Sequence, residues 1–285
     1  MKLIWDILKG AVIGLANIIP GVSGGTMMVS MGIYDTLISC ITHLFKQPKK
    51  SLKTLAPFAV GMVLAIVGLS FVIDWAFTNY PLPTNTLFIG LILGGLPAIL
   101  KNLKGSRVKV SGWALFILFF ALIIFLQVIQ AENVATIQLS VLEVVKLLLI
   151  GGMASATMVI PGVSGSMLLK LIGYYEPVIG SIKGLTVALA AGEWSAVATN
   201  VGILLPFGIG IVVGIFAIAK LIEVLLARQK VLTYCAILGL VVASPVAILM
   251  GTSLAGVTAV TVIVSLVTFA IGFWVAMKLG GEKEA

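Results

Sequence analysis

The residues best suited to chemistry lie in two nearly identical heptads. Pro20-Gly-Val-Ser-Gly-Gly-Thr26 returns as Pro161-Gly-Val-Ser-Gly-Ser-Met167. Proline removes a backbone donor and glycine disfavours helix, so each Pro-Gly pair predicts a helix break. A helix that restarts after such a break presents free N–H groups and the positive end of its dipole, and neighbouring hydroxyls add donors. The pattern therefore predicts an anion site.

This anion site is expected to have one half in each heptad. The breaks are placed at Pro20 and Gly21 and at Pro161 and Gly162, and the donors at Ser23, Gly24, Gly25 and Thr26 and at Ser164, Gly165 and Ser166. Lys170 follows Ser166 by one helical turn and can add a positive charge. In the alternative interpretation, glycine and serine only let helices cross closely. The recurrence of the heptad in two long apolar segments favours a binding site.

Two carboxylates are candidates for proton coupling. Asp35 and Glu176 each follow a Gly-x-Tyr sequence shortly after a heptad. Acids inside a membrane are costly and often functional, whereas acids near its surface can be hydrated or cap a helix, and the sequence leaves both interpretations open. Glu143 and Lys146, three residues apart, are expected to form an ordinary surface pair. No nucleophile stands beside a base and His43 is the sole histidine, so no catalytic residue is predicted.

The composition is typical of an integral membrane protein. Of 285 residues, 60% are hydrophobic and 10% are charged, and the mean hydropathy is +1.22, far above that of soluble domains. The net charge of +8 is interpreted as topogenic, with no nucleic-acid partner. Cys40 and Cys235 lack metal-ligand spacing, so neither a metal nor a cofactor is expected. No cleavable signal peptide is evident, and the N-terminus is expected to be retained.

Lysine and arginine divide the loops into two kinds. The loops that follow residues 42, 100 and 221 and both ends of the chain are basic, whereas those around Asn79, Glu132 and Thr252 contain no basic residue. Cytoplasmic loops carry the excess of Lys and Arg in membrane proteins. Both termini are therefore predicted to be cytoplasmic.

The segment around the first heptad has an awkward length. Residues 10–42 make 33 residues, about 50 Å as one helix, which is too long for one crossing of a ~30 Å core and too short for two. Because both ends carry lysines, a re-entrant helical hairpin is predicted. Spans are expected to follow at about 57–77, 86–100 and 113–130, then a second hairpin at about 144–182 and spans at about 201–221, 231–250 and 256–277.

An internal repeat supports two halves of opposite orientation. Positions match in these pairs: Gly10 with Gly151, Gly32 with Gly173, Tyr34 with Tyr175, Asp35 with Glu176, and Pro57 with Pro206. We therefore predict an all-α integral membrane protein of two inverted-topology repeats, residues 1–140 and 141–285, each a re-entrant hairpin plus three transmembrane helices.

The chain resembles the polyprenyl-phosphate transporter family. The resemblance is carried by Gly14-x-Ala-Asn-x-Ile-Pro-Gly-Val-Ser-Gly-Gly-Thr26 with Gly32-Ile-Tyr-Asp35, and by Ile160-Pro-Gly-Val-Ser-Gly165 with Gly173-Tyr-Tyr-Glu176. It covers essentially the whole chain. It implies transport of undecaprenyl phosphate, the carrier lipid of bacterial cell-wall glycans, back across the cytoplasmic membrane. It also implies an anion site at the Pro-Gly-Val-Ser-Gly positions and acidic positions at Asp35 and Glu176. Met158 and Met167 replace the Asn and Thr of the first half.

Two other classes of function stay open at this stage. Undecaprenyl-diphosphate phosphatases resemble this layout, but an arginine follows their serine, where this chain has Gly24 and Gly165. Without that guanidinium, a diphosphate transition state would lack a bidentate partner. A channel for inorganic anions is the other alternative. The oligomeric state is open.

Overall fold

The structure, a computed structural model, describes residues 2–18, 22–129, 134–254 and 256–281. All regular secondary structure in these residues is helical, which confirms the all-α prediction. The helices are α1 (Lys2–Ile18), α2 (Gly24–Ser30), α3 (Tyr34–Thr42), α4 (Pro48–Asn79), α5 (Pro81–Gly94), α6 (Leu96–Lys101), α7 (Val110–Val128), α8 (Val141–Val159), α9 (Gly165–Leu171), α10 (Tyr175–Ala191), α11 (Trp194–Arg228), α12 (Lys230–Met250) and α13 (Ala259–Gly281).

Within the described ranges, seven helical stretches are long and apolar enough to cross a membrane. They are Pro48–Leu69, Pro81–Lys101, Val110–Val128, Val141–Val159, Trp194–Arg228, Lys230–Met250 and Ala259–Gly280. Six of them contain or overlap the six predicted spans. The seventh, Val141–Val159, is the first arm of the second predicted hairpin, and its 19 residues reach about 28 Å.

Two spans begin earlier than the sequence suggested. The predicted starts, Pro57 and Val201, lie inside the 32-residue α4 and the 35-residue α11, and each of these helices continues through a proline, Pro57 and Pro206 respectively. Proline removes one backbone hydrogen bond, and neighbouring helices in a membrane protein can compensate for that loss. α10 likewise continues to Ala191, beyond the predicted hairpin end near residue 182.

Four helix pairs pack closely through glycine. The pairs are α1 with α4, α8 with α11, α5 with α13 and α7 with α12. Successive contacts step forward along both helices of each pair: Gly10 on Phe58 and Gly14 on Met62; Gly210 on Leu148 and Gly214 on Gly152; Gly90 on Phe269 and Gly94 on Phe273; Gly112 on Cys235 and Gly239 on Phe116. Contacts that advance together show that the two helices of every pair run parallel. Small residues permit such close approach between membrane helices.

The two short helices that follow the heptads end in the same way. After α2, the N–H of Ile33 bonds to the carbonyl of Met28, and after α9 the N–H of Tyr174 bonds to that of Leu169. Gly32 and Gly173 lie between, with φ of 68° and 80°, the left-handed conformation that glycine adopts without strain. The matched glycines therefore end matched helices and turn the chain towards α3 and α10.

Burial separates central from peripheral helices. In their most apolar stretches, 61% of Pro81–Lys101 and 67% of α12 are buried, against 11% of α7 and 17% of α13. The largest core cluster joins α1, α2 and α3 to α5 and α12. The sequence that follows the first heptad therefore packs into the centre of the protein.

We expect Gly210→Ala to destabilise the protein. A Cβ at position 210 would overlap the carbonyl of Leu148, so α8 and α11 must separate, at a cost of about 1–3 kcal/mol. Gly208→Ala is the matched control, because nothing lies within 4 Å of that Cβ position. Thermal unfolding of the purified protein in detergent measures both variants. Equal stability would contradict the packing described here.

Candidate functional site

The two heptads, far apart in sequence, meet in the structure. Ser23 Oγ donates to the carbonyl of Thr157 at 3.1 Å, and the hydroxyl of Tyr34 donates to that of Val159 at 3.0 Å. In the other direction, the N–H of Gly162 donates to Thr26 Oγ1 at 2.7 Å. The structure thereby brings together the half-sites that the sequence placed in separate halves of the chain.

The end of α8 explains why these contacts form. α8 stops at Val159 because Pro161 cannot continue it, and the last carbonyls of a helix have no partner within the helix. Ser23 and Tyr34 supply donors to that end, and Ser23 Oγ also lies 3.4 Å from the carbonyl of Ile160. A buried carbonyl without a donor would be costly. The first half therefore completes the broken helix of the second.

Polar groups of the first heptad are already engaged. The N–H of Gly24, predicted to be free for an anion, donates to Asn17 Oδ1 at 3.2 Å. Thr26 is fully buried, and residues 22–30 are buried throughout. Pro20 and Gly21, the predicted break, lie outside the described residues. In this conformation the first half-site is closed.

The second heptad is more accessible. Ser164 is buried, but Gly165, Ser166 and Met167 are half-buried, and the hydroxyls of Ser164 and Ser166 lie 3.0 Å apart. Lys170 is exposed, with Nζ 5.0 Å from the centre of the Tyr175 ring. Pro161 and Gly162 form the break as predicted, and Gly162 has a φ of 82°. Hydroxyls and an ammonium are thus available on this side.

The departures of the second heptad from the first have a structural counterpart. Asn17 accepts the N–H of Gly24. Its counterpart in the second half is Met158, whose side chain is 45% exposed. Thr26, which binds Gly162, corresponds to Met167, which has no hydroxyl to offer. Thr157 lies beside Gly165 instead and donates its hydroxyl to its own helix, at Ala154. The two half-sites are therefore different in chemistry.

The two candidate acids also differ in their surroundings. Asp35, in the first turn of α3, accepts a hydrogen bond from the hydroxyl of Tyr234 at 2.7 Å. Glu176, in the first turn of α10, is exposed and forms no hydrogen bond or ion pair with any described residue. Each acid lies at a helix start, and they are not brought together.

Sequence reasoning missed the tyrosines that hold carboxylates and carbonyls. The expected pair of Glu143 with Lys146 forms, but its placement at the surface is wrong, because Glu143 is only 7% exposed. The carboxylate of Glu143 accepts a hydrogen bond from the hydroxyl of Tyr174 at 2.6 Å and another from the ammonium of Lys146 at 3.1 Å. The Gly-x-Tyr match at Tyr34 was a usable signal, but nothing in the sequence placed Tyr174 or Tyr234 opposite an acid.

Comparisons with known proteins identify the family of this chain. A family model described as undecaprenyl phosphate translocase-like matches residues 13–259 and 190–280. The chain is 33% identical over 281 residues to a polyprenyl-phosphate transporter of Staphylococcus aureus (strain NCTC 8325), covering 96% of this chain and 95% of the relative. It is 29% identical over 248 residues to a polyprenyl-phosphate transporter of Vibrio cholerae serotype O1, covering 82% and 73%. No solved structure matches the chain.

These names describe transporters and not enzymes, so the prediction that this protein is not an enzyme is confirmed. The family model spans nearly all of the chain, including both heptads and the helices that carry them. The protein therefore belongs to the undecaprenyl phosphate translocase-like family of multi-pass membrane proteins.

Proposed function

We propose that this protein is a flippase that moves undecaprenyl phosphate from the outer to the inner leaflet of the bacterial cytoplasmic membrane. The carrier lipid would thereby be recycled for the synthesis of peptidoglycan and other cell-wall glycans. The observation that carries the proposal is the meeting of the two heptads, one from each half, beside a helix broken at Pro161. The relatives' names supply the class of lipid.

The directions of the helices support an inverted repeat. Consecutive crossings alternate in direction, so α4 and α7 run one way and α5 runs the other. α12 is parallel to α7, and α13 is parallel to α5. The crossings α11, α12 and α13 therefore run opposite to their counterparts α4, α5 and α7. Two inverted halves that meet at a central site are the usual basis of alternating access in transporters.

Parallel packing also supports the re-entrant hairpins. Because α1 and α4 run in the same direction, the chain must return between Ile18 and Pro48 to the end from which α1 began. The helix of that return, α3, has nine residues and reaches only about 14 Å. We therefore propose that the first hairpin enters about half of the membrane. The arms of the second, α8 and α10, are longer and reach deeper.

The basic loops orient the molecule. The connections after α3, α6 and α11, together with the helix ends beside them, carry most of the lysine and arginine. This charge supports a cytoplasmic position for these connections and for both termini. The mouth of the first hairpin then faces the cytoplasm, and that of the second faces outwards. The accessible donors of the second heptad would consequently meet a lipid phosphate arriving in the outer leaflet.

We propose that phosphate binds first to Ser164, Gly165, Ser166 and Lys170. A hydroxyl or ammonium that binds a phosphate forms a charge-assisted hydrogen bond, which is stronger than one between neutral groups. Separation of the heptads would release the hydroxyls of Ser23 and Thr26. With Gly25, and with Gly24 once its N–H leaves Asn17, they would bind the same phosphate from the other side. The isoprenoid tail can stay in lipid, beside the exposed apolar surfaces of α7 and α13.

Inward movement of an anion needs compensation. The interior of the cell is negative, and each unit of charge moved costs about 2.3 kcal/mol per 100 mV. We propose that a proton moves with the lipid, carried by Asp35 or Glu176 or by the phosphate itself, whose second pKa is near 6. No described feature favours a phosphatase or a channel for inorganic anions over this scheme.

In liposomes, the purified protein should accelerate the loss of outward-facing undecaprenyl phosphate. The same vesicles should release no inorganic phosphate from undecaprenyl diphosphate, since no catalytic constellation is present in the described residues. A headgroup-specific reagent added outside measures the first, and a phosphate assay measures the second. Phosphate release would favour the enzyme, and no acceleration under any imposed pH or voltage gradient would reject the transporter.

Replacing Ser166 by Ala in combination with Lys170→Ala should weaken binding of lipid phosphate. Loss of hydrogen bonds to a charged group predicts affinity about tenfold to a hundredfold lower. Lys183→Ala is the matched control, because Lys183 is an exposed lysine on α10 outside the heptad. Binding to lipid phosphate in detergent, followed by tryptophan fluorescence, measures all three proteins. Equal affinity of the double variant and the wild type would show that the second heptad serves helix packing and does not bind the phosphate.

Tyr34→Phe should destabilise this conformation by about 1–2 kcal/mol, because it leaves the carbonyl of Val159 without a donor. Tyr175→Phe is the control at the matching position, since the hydroxyl of Tyr175 donates no hydrogen bond to a described residue and its ring stays beneath Lys170. Thermal unfolding compares the two. If both variants lose the same stability, the contact between the heptads does not hold the halves together.

A further inference from the structure

A cavity at one end of the molecule joins the two halves around Asp35. It has a volume of about 290 Å³ and is lined by Asp35, Ile38 and Ser39 of α3, by Glu223, Leu226 and Ala227 of α11, and by Lys230 of α12. Arg228 and Lys230 flank the connection between α11 and α12, so this end faces the cytoplasm in the proposed orientation. The cavity therefore connects the first hairpin to the cytoplasmic side.

Asp35 is held towards this cavity by the second half. Its carboxylate accepts from Tyr234 Oη at 2.7 Å, and Tyr234 itself is 3% exposed. The tyrosine is thus fixed by packing, and it holds the carboxylate of an otherwise exposed residue in one place. A second contact between the halves lies farther along α3, where His43 Nδ1 is 3.2 Å from Glu223 Oε1.

The groups that face Asp35 are mixed in charge. Tyr34 is its neighbour on α3, Tyr234 faces it from α12, and Glu223 and Lys230 share the cavity. Glu223 is already paired with Lys220 and His43. Part of the lining is apolar, namely Ile38, Leu226 and Ala227. The lining also holds two carboxylates and one lysine, so it lacks the excess of positive charge that an anion site needs. Water and protons fit this lining better than a phosphate does.

Glu176, the matching acid, has no such environment. It is exposed, and no tyrosine or other described residue bonds to its carboxylate. Tyr174, two residues before Glu176, donates its hydroxyl to Glu143 instead. The two acids that the sequence offered as equivalent candidates are therefore not equivalent.

We propose that this cavity is the cytoplasmic proton port of the transporter, with Asp35 as the group that exchanges protons and Tyr234 as its positioning residue. The inference rests on the proposed function. After inward transport, the O–H bond of the Asp35 carboxyl breaks and the proton passes to water in the cavity. The carboxylate that remains accepts the hydrogen bond of Tyr234. Glu176 has no part in this exchange.

The test measures inward transport of undecaprenyl phosphate in liposomes as the pH at the cavity side is varied. Wild-type transport should increase with that pH, because a higher pH draws the proton from Asp35. Asp35→Asn should lose this dependence, whereas Glu176→Gln should keep it. Tyr234→Phe removes the hydroxyl that holds the Asp35 carboxylate, so the midpoint of the pH dependence should shift from that of the wild type. Tyr174→Phe, which removes a similar bond to Glu143, should leave the midpoint unchanged.

The outcomes separate this inference from the function on which it rests. Absence of transport by the wild-type protein would overturn both. Transport with an unchanged pH dependence in Asp35→Asn would overturn the port and leave the transporter standing. An unchanged midpoint in folded Tyr234→Phe would overturn the role of Tyr234.

A second measurement keeps the port testable if Tyr234→Phe does not fold. In a background with Cys40→Ser and Cys235→Ala, Ser39→Cys places a thiol on the cavity wall. A water-soluble thiol reagent added from the cavity side should label it and abolish the dependence on pH. Failure to label, or labelling without effect on the pH dependence, would overturn the port.

Discussion

The structure depends on a helix that ends in the interior of an apolar protein. The last carbonyls of α8 need donors, and water is a poor source of them at that depth. Ser23 and Tyr34 of the other half supply those donors, and Thr26 accepts the N–H of Gly162 in return. The second half cannot satisfy this part of its own backbone, so the break at the proposed binding site also joins the halves.

Parallel helix pairs hold this junction in place. α1 packs on α4 and α8 on α11, so each heptad is anchored by one long helix of its own half. The pairs α5 with α13 and α7 with α12 instead connect the halves. Because glycine lets the backbones approach closely, we expect such pairs to move as rigid units. Motion between conformations would then concentrate at the few hydrogen bonds between the heptads, which are weak enough to exchange.

Similar sequences in the two halves do not produce equal surroundings. The first heptad is buried and bonded internally, whereas the second leaves Ser166 and Lys170 accessible. Asp35 is bonded to Tyr234 beside a cavity, and Glu176 is exposed. In the proposed inverted repeat one hairpin lies at each membrane surface, so the two would perform different steps of one cycle: capture of a phosphate on one side and release of a proton on the other.

The sequence alone determined the membrane class, the all-helical fold and the location of both heptads. These features follow from hydropathy, loop charge, the repeat and the Pro-Gly breaks, all of which can be seen in the order of residues along the chain. The spans predicted to start at Pro57 and at Val201 begin earlier, in helices that stay intact through Pro57 and Pro206. The engagement of Ser23 with Thr157, the burial of Glu143 and the bond from Tyr234 to Asp35 were decided only by the tertiary structure. Each joins residues distant in the chain, and local sequence carries no record of which donor a folded chain will bring to an acceptor.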